Sequence, residues 1–256
     1  MKNQAFQEIS HSENPHLQYV WIPGWGGTAH ALLPLIRSLR FGTHRILEPF
    51  GMNGELKNRQ NLDMREMADY AIGLCDGLED FSLMGISMGG IIAQLMAPRL
   101  RLLDLHLMCT TRGGRNNPDP IDPAARRIWF SRTQAGEETV LKMLEPCFSE
   151  ESESIKQAYA EHLRKQPYSL DGHTLKLHFQ AMLACDTKEA LTQLECPVYV
   201  HEGHEDQVIL PFQRGRIEEV IVLQDVFSYP GGHLFFLEVP ELLKKRLLIL
   251  RGIYGD

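Results

Sequence analysis

Apolar positions along this chain fall into short continuous runs separated by stretches of helical spacing, and that alternation predicts an α/β architecture. Leu17–Pro23 is an apolar run that ends in Pro-Gly, as a buried strand does. Residues Ala29–Leu39 follow with Ala, Leu and Ile at helical spacing, and His44–Leu47 reads as a short strand. Across Leu62–Leu78 the residues Met64, Met67, Ala68, Ala71, Ile72 and Cys75 share one helical face. Phe81–Ile86 is a strand, Met88–Met96 a helix that stops before Pro98, and Leu103–Cys109 a further strand. The resulting βαβαβαβ rhythm predicts a mostly parallel sheet covered by helices on both faces.

The rhythm breaks after Thr111. Arg112–Pro123 is rich in Gly, Asn, Asp and Pro, and Ala124–Cys185 carries helix-like stretches without a convincing strand. This predicts a core of residues 1–111 and 186–256, with residues 112–185 inserted as a small helical cap. Strand-like runs resume at Pro197–His201 and Glu219–Leu223, and a helix over about Pro240–Leu250 closes the chain. No internal repeat or low-complexity tract is present.

Composition narrows the function classes. With 26 Lys and Arg against 33 Asp and Glu the formal charge is −7, so the chain has no general attraction for nucleic acid or an anionic membrane. The N-terminus has no apolar leader and no run approaches a membrane span. Cys75, Cys109, Cys147, Cys185 and Cys196 are scattered and odd in number, which fits reduced thiols and a cytoplasmic location. No CxxC pair suggests a zinc or redox centre, and no cofactor is expected.

Candidate chemistry begins at Gly85-Ile86-Ser87-Met88-Gly89, a G-x-S-x-G motif set between a strand and a helix. That context places a serine hydroxyl on a sharp turn at the carboxyl end of a sheet. Glycines two before and two after remove the side chains that would clash there. A serine hydroxyl needs a base, and the base needs an orienting acid, in the chain order Ser, Asp or Glu, His. Asp206, in the loop after Pro197–His201, is the candidate acid, with Glu202 and Glu205 as neighbours able to substitute. His233, behind Gly231-Gly232 and ahead of an apolar helix-like run, is the candidate base. The backbone N–H of Met88 is one expected oxyanion donor, and that of Trp25, in Pro23-Gly24-Trp25-Gly26-Gly27, the second; the Trp25 indole would wall the pocket.

Two rival patterns share these segments. His201-Glu202-Gly203-His204 looks like a metal-ligand pair, but its spacing is not H-E-x-x-H and no third ligand cluster is evident, so no metal site is expected. Gly24-Trp25-Gly26-Gly27-Thr28-Ala29 fits G-x-G-x-x-A, with Glu48 about 20 residues on, as in a dinucleotide-binding turn. Against it, Pro23 and the bulky Trp25 suit a loop hugging pyrophosphate poorly, and it leaves Ser87, Asp206 and His233 unexplained.

Taken together, these motifs resemble the α/β-hydrolase family of serine hydrolases over nearly the whole chain. Gly231-Gly232-His233-Leu234 with Leu237-Glu238-Val239-Pro240 looks like the family's histidine loop and last helix, and the insertion, after the sixth-strand position, like its cap. The chain departs from the family at Pro23-Gly24, where His-Gly is usual, in a weakened acidic turn at Glu48–Gly54, and in a shortened N-terminal hairpin. The length, small cap and Gly-Trp-Gly loop are similar to the esterases that cleave pimeloyl carrier-protein methyl ester. The resemblance implies a carboxylic ester hydrolase acting on a small-molecule ester with a small to medium acyl chain, free or carrier-protein-bound. Thioesterase and lactonase activity of the same fold, or a ligand-binding receptor with little turnover, stay open. Arg112, Arg115, Arg126, Arg127 and Arg132 would form the cap's basic patch toward an acidic carrier, or a solvated helix face. Trp129, Phe130, Phe148, Tyr168 and Phe179 are the candidate cap aromatics for the acyl pocket.

Overall fold

The computed structural model describes residues 5–114, 144–166 and 170–253. Its strands are β1 (Phe6–Ser10), β2 (Glu13–Ile22), β3 (Phe41–Leu47), β4 (Phe81–Ile86), β5 (Leu102–Met108), β6 (Val198–Gly203) and β7 (Asp225–Tyr229). They form one sheet in the order β1-β3-β2-β4-β5-β6-β7, parallel throughout except for β1, which runs antiparallel along β3. The longer helices are α1 (Ala29–Leu39), α2 (Met64–Gly73), α3 (Met88–Met96), α4 (Glu153–Arg164), α5 (Gly172–Ala184), α6 (Pro211–Glu218) and α7 (Pro240–Leu250). Among the described residues no helix is long and apolar enough to cross a membrane.

The strand period of two explains the two-sided core. Val20 and Ile22 of β2, Leu83 of β4 and Leu105 and Leu107 of β5 face a core shared with α2 and α3. Tyr19 and Trp21 of β2, Met84 and Ile86 of β4 and Met108 of β5 face the opposite core, under α1 and α7. β4 is buried along its whole length, so the strand that leads into Ser87 is apolar apart from Ser82 and Gly85.

Two features depart from the pattern. β1, half exposed at a sheet edge, pairs with β3 and makes no hairpin with β2; Phe6 and Ile9 are its only apolar residues, too few to predict the strand from its pattern. The expected strand at Glu219–Leu223 is instead the end of α6 and a turn, where Val220 and Ile221 bond back to Ile217 and Val222 is 97% exposed. The last strand lies later, at Asp225–Tyr229, where β6 supplies the partners Tyr199–Gly203. Its Val, Phe and Tyr have strong strand preference, but a short run does not reveal its pairing partner.

The insertion leaves the sheet after β5 and returns at β6. This is the sixth-strand position expected, since the N-terminus contributes one strand fewer ahead of β2. Histidines dock its helices on the core. Pro34 inside α1 has no N–H for the carbonyl of His30. His162 of α4 supplies the missing donor, from Nε2 to His30 O at 2.8 Å, and the two imidazoles stack at 4.2 Å. His178 of α5 donates Nε2–H to Phe50 O at 2.8 Å.

Burial lowers the pKa of His162, near Arg37 and Lys165, against the help of its bond to His30. Burial also takes His178 from 6.5 to about 4, against its bond to Phe50 and the charge of Asp171, and takes His44 of β3 to about 4. The folded state therefore binds fewer protons than the unfolded chain below the ordinary histidine value. These contributions are complete above 6.5 and are lost as pH falls toward about 4. Thermal midpoints measured from pH 7.5 down to about pH 4.5 should fall steadily, ahead of the carboxylate range. A flat profile would contradict this account.

Candidate active site

Ser87 sits between β4 and α3 with φ 52° and ψ −119°, a conformation that side-chain-bearing residues rarely hold. The flanking glycines allow it sterically. A Cβ on Gly89 would lie 2.2 Å from Ile22 O and 2.5 Å from Pro23 O, and one on Gly85 2.6 Å from Gly90 Cα. Because α3 starts at Met88, the Met88 N–H belongs to the first helical turn, which has no intrahelical acceptor and points its dipole at the serine.

Asp206 and His233, the candidate acid and base, come together. His233 Nδ1 lies 2.9 Å from Asp206 Oδ2 and 3.1 Å from Oδ1. Asp206 Oδ1 also accepts the N–H groups of Val208 and Ile209 at 2.8 and 2.9 Å. Burial works against the Asp206 charge, but His233 and these backbone donors outweigh it and hold the carboxyl below its ordinary value. An ionised Asp206 only accepts, so Nδ1 carries the proton and Nε2 is left as the basic nitrogen. Ser87 and His233 line one cavity. No hydrogen bond joins them among the described residues, a contact that commonly tightens only when substrate is bound. Of the alternative acids, Glu205 is exposed and its N–H bonds Gly231 O, and Glu202 lies within β6, before the loop that carries Asp206.

The Pro23–Gly27 loop closes on itself through Gly27 N–H to Gly24 O at 2.9 Å, and a Cβ on Gly24 would stand 3.2 Å from Ser87 Cβ. Trp25 and Ser87 line the same cavity. The indole walls the cavity, donating Nε1–H to Leu175 O at 2.9 Å and packing on Phe179 at 5.4 Å. The cavity measures about 150 Å³ and is lined mainly by apolar groups, with Leu32, Ile91, Leu144, Tyr159, Leu163 and Met182 among them. His233 is the one basic side chain among its described lining residues, and none of them is a carboxylate.

Several expected residues land elsewhere. Phe148 and Phe179 do not line the cavity but back it, Phe148 against Tyr159 and Phe179 against Trp25. Trp129, Phe130, Tyr168, Arg115, Arg126, Arg127 and Arg132 lie outside the described residues. Arg112 is no surface cation: it is buried and faces Asp186 at 3.0 Å and Glu219 at 3.8 Å, because it sits where the insertion leaves the core.

The rival patterns resolve in the same way. Glu48 is buried and accepts Ala29 N–H at 3.0 Å, so the chain's own carboxylate occupies the start of α1, where a pyrophosphate would bind. His201 is buried in β6 between His106 (2.8 Å) and Tyr229 (2.9 Å), while His204 is exposed on the loop beyond. One His, Cys and Asp trio does converge: donor atoms of Cys109, Asp206 and His233 lie within 4.8 Å of one another. Burial and the Asp206 charge raise the Cys109 thiol well above its ordinary value, which disfavours the thiolate a metal needs.

Glu238 is the residue that motif reading quoted without a role. Its Oε1 accepts Gly232 N–H at 2.7 Å and its Oε2 accepts Ser149 N–H at 3.1 Å and Oγ–H at 2.5 Å. It thereby ties the loop before His233 to the cap, alongside Leu234 N–H to Cys147 O at 2.9 Å. Nothing local in the sequence marks that role; the position three residues after Phe235 matters only once the loop folds back.

The sequence profile of the alpha/beta hydrolase family matches residues 19–246. No protein of curated function matches the chain. An esterase from Exiguobacterium antarcticum superposes with a TM-score of 0.76 at 16% identity, over 96% of this chain and 94% of its own. An esterase from Thermogutta terrifontis gives 0.75 at 23% identity, over 98% and 94%. The enol-lactonase from Burkholderia xenovorans LB400 gives 0.74 at 16%, over 95% and 94%. At these identities the likeness is one of fold, and fold leaves the reaction open.

Proposed function

We propose that this chain, which belongs to the alpha/beta hydrolase family, hydrolyses carboxylic esters with a short to medium apolar acyl chain. The observation that carries this reading is the strained Ser87 turn opening into the same apolar cavity as His233, whose Nδ1 is held by Asp206. In the proposed cycle His233 Nε2 takes the Ser87 proton as the hydroxyl oxygen attacks the ester carbonyl. The N–H groups of Met88 and Trp25 stabilise the oxyanion. The carbonyl–alkoxy bond then breaks, His233 passes the proton to the departing alcohol, and an acyl-serine remains. Water, deprotonated by the same imidazole, attacks this acyl group and releases the acid. Asp206 keeps the productive tautomer and stabilises the imidazolium.

The cavity supports the chain-length preference. A comparable volume lined by Leu, Ile and Phe takes a benzene-sized apolar molecule, so p-nitrophenyl esters of about four to six acyl carbons should be hydrolysed fastest, acetate and dodecanoate more slowly. An acyl chain ending in a carboxylate would meet no lysine or arginine among the described lining residues. The test is a chain-length series with thioester and lactone analogues beside it, plus mass-spectrometric location of a fluorophosphonate label. Turnover with the label on Ser87 supports the reading. Tight ligand binding without turnover or label would replace it with a receptor role.

A further inference from the structure

We infer that Thr110 is a positioning residue for the nucleophile, acting through the main chain of Ser87; this rests on the ester-hydrolase reading of the same site. The end of β5 grips Ser87 from both sides of its own residue. Ser87 N–H donates to Met108 O at 2.9 Å, and the buried Thr110 Oγ1–H donates to Ser87 O at 2.6 Å. Gly90 N–H, one helical turn on, reaches the same Ser87 carbonyl at 2.9 Å.

A rare backbone conformation persists only where its surroundings over-determine it. At Ser87 the helix supplies one of those restraints, and the neighbouring strand supplies the others. Between the two gripping residues, Cys109 takes a positive φ of 45° and donates its N–H to His201 O at 2.9 Å, so the grip is anchored to β6. This turns the chain at the strand end, where Thr110 both reaches the Ser87 carbonyl and lines the cavity.

Gly90 supplies the space for the contact. A Cβ there would lie 2.5 Å from Thr110 Oγ1 and 2.6 Å from Thr110 Cβ and Cγ2. The bare face of α3 at Gly90 is thus a notch that receives the threonine, and only a small β-hydroxy side chain both fills it and hydrogen-bonds the carbonyl. Thr110 touches the turn that aims the Ser87 hydroxyl, not the reacting atoms. Its loss should therefore slow the chemical step and leave the acyl pocket's affinity largely intact.

The experiment compares wild type, Thr110→Val, Thr110→Ser and Gly90→Ala on the best p-nitrophenyl ester, together with the rate of fluorophosphonate labelling at Ser87. Valine keeps the shape and removes the hydroxyl, so kcat and labelling rate should both fall about 10- to 100-fold with KM within about threefold. Serine restores the hydroxyl and should recover most of the rate. Gly90→Ala keeps the threonine but displaces it, and should resemble Thr110→Val; it decides the matter should the valine variant fail to fold. Wild-type rates in both Thr110→Val and Gly90→Ala would overturn the positioning role and leave the ester reading intact. Equal losses in Thr110→Ser and Thr110→Val would also overturn it, since packing and not the hydroxyl would then be at stake. A wild-type protein that neither turns over nor labels at Ser87 overturns the ester reading, and this inference with it.

Discussion

Replacing Ser87 or His233 with alanine should lower kcat/KM on the best ester by about 10⁴-fold or more, with both variants still folded. Removing either partner leaves only the oxyanion donors and the binding cavity, and the two losses do not add because nucleophile and base act as a unit. Stability should move little. Among the described residues no hydrogen bond to Ser87 Oγ holds the turn together; its main-chain N–H and carbonyl do that, and alanine keeps both. His233→Ala leaves Asp206 with its two backbone donors from Val208 and Ile209. Steady-state rates beside thermal midpoints check this, and a Ser87→Ala protein with unchanged turnover would place the chemistry elsewhere.

Gly203→Ala should also be damaging, for a purely steric reason. Gly203 ends β6, and a Cβ there would stand 2.1 Å from Gly232 O and 2.5 Å from Gly231 O. Both clashing atoms are backbone, so no side chain can swing away. The acid loop and the histidine loop are also stitched together beside it, by His204 N–H to Tyr229 O and Glu205 N–H to Gly231 O, both at 2.9 Å. One methyl group would push the two loops apart by roughly an ångström and pull His233 off Asp206, a displacement that costs about 10²-fold in rate. Overpacking of this kind also destabilises by about 1–3 kcal/mol, so the thermal midpoint should drop as well. Turnover within a few-fold of wild type would show that the loops can part without disturbing the acid–base pair.

Much of this site is legible along the chain because its constraints are local. The turn at Ser87 needs glycines at fixed offsets, and Gly85 and Gly89 stand there against Gly90 and the Ile22 carbonyl. The strand before Asp206 shows in its own composition, while the strand before His233 does not, and His233 is singled out by chain order, by Gly231-Gly232 ahead of it and by the apolar run behind it. Gly203 was in plain view, but its φ is not positive and its reason is another loop's backbone, so no local rule marks it. The same holds for Thr110 and Glu238, whose partners Ser87 and Gly232 reach them only through the fold. Among the cap aromatics, Tyr159 reaches the cavity while Phe148 and Phe179 back it, since periodicity says which face of a helix is buried but not what it is buried against.

The sequence by itself determined the α/β alternation, and it supplied the Ser87, Asp206 and His233 order on which the proposed function rests. These depend on the periods of strands and helices and on glycine at turns, properties of a few neighbouring residues. Tertiary structure alone decided that β1 joins the edge of the sheet, that the last strand is Asp225–Tyr229 and not Glu219–Leu223, and that Arg112 is buried between Asp186 and Glu219. It also decided that Thr110 braces the Ser87 turn and Glu238 the loop before His233. Pairing partner, burial and hydrogen-bond satisfaction are set by residues tens of positions away, and they exist only once the chain has brought those residues together.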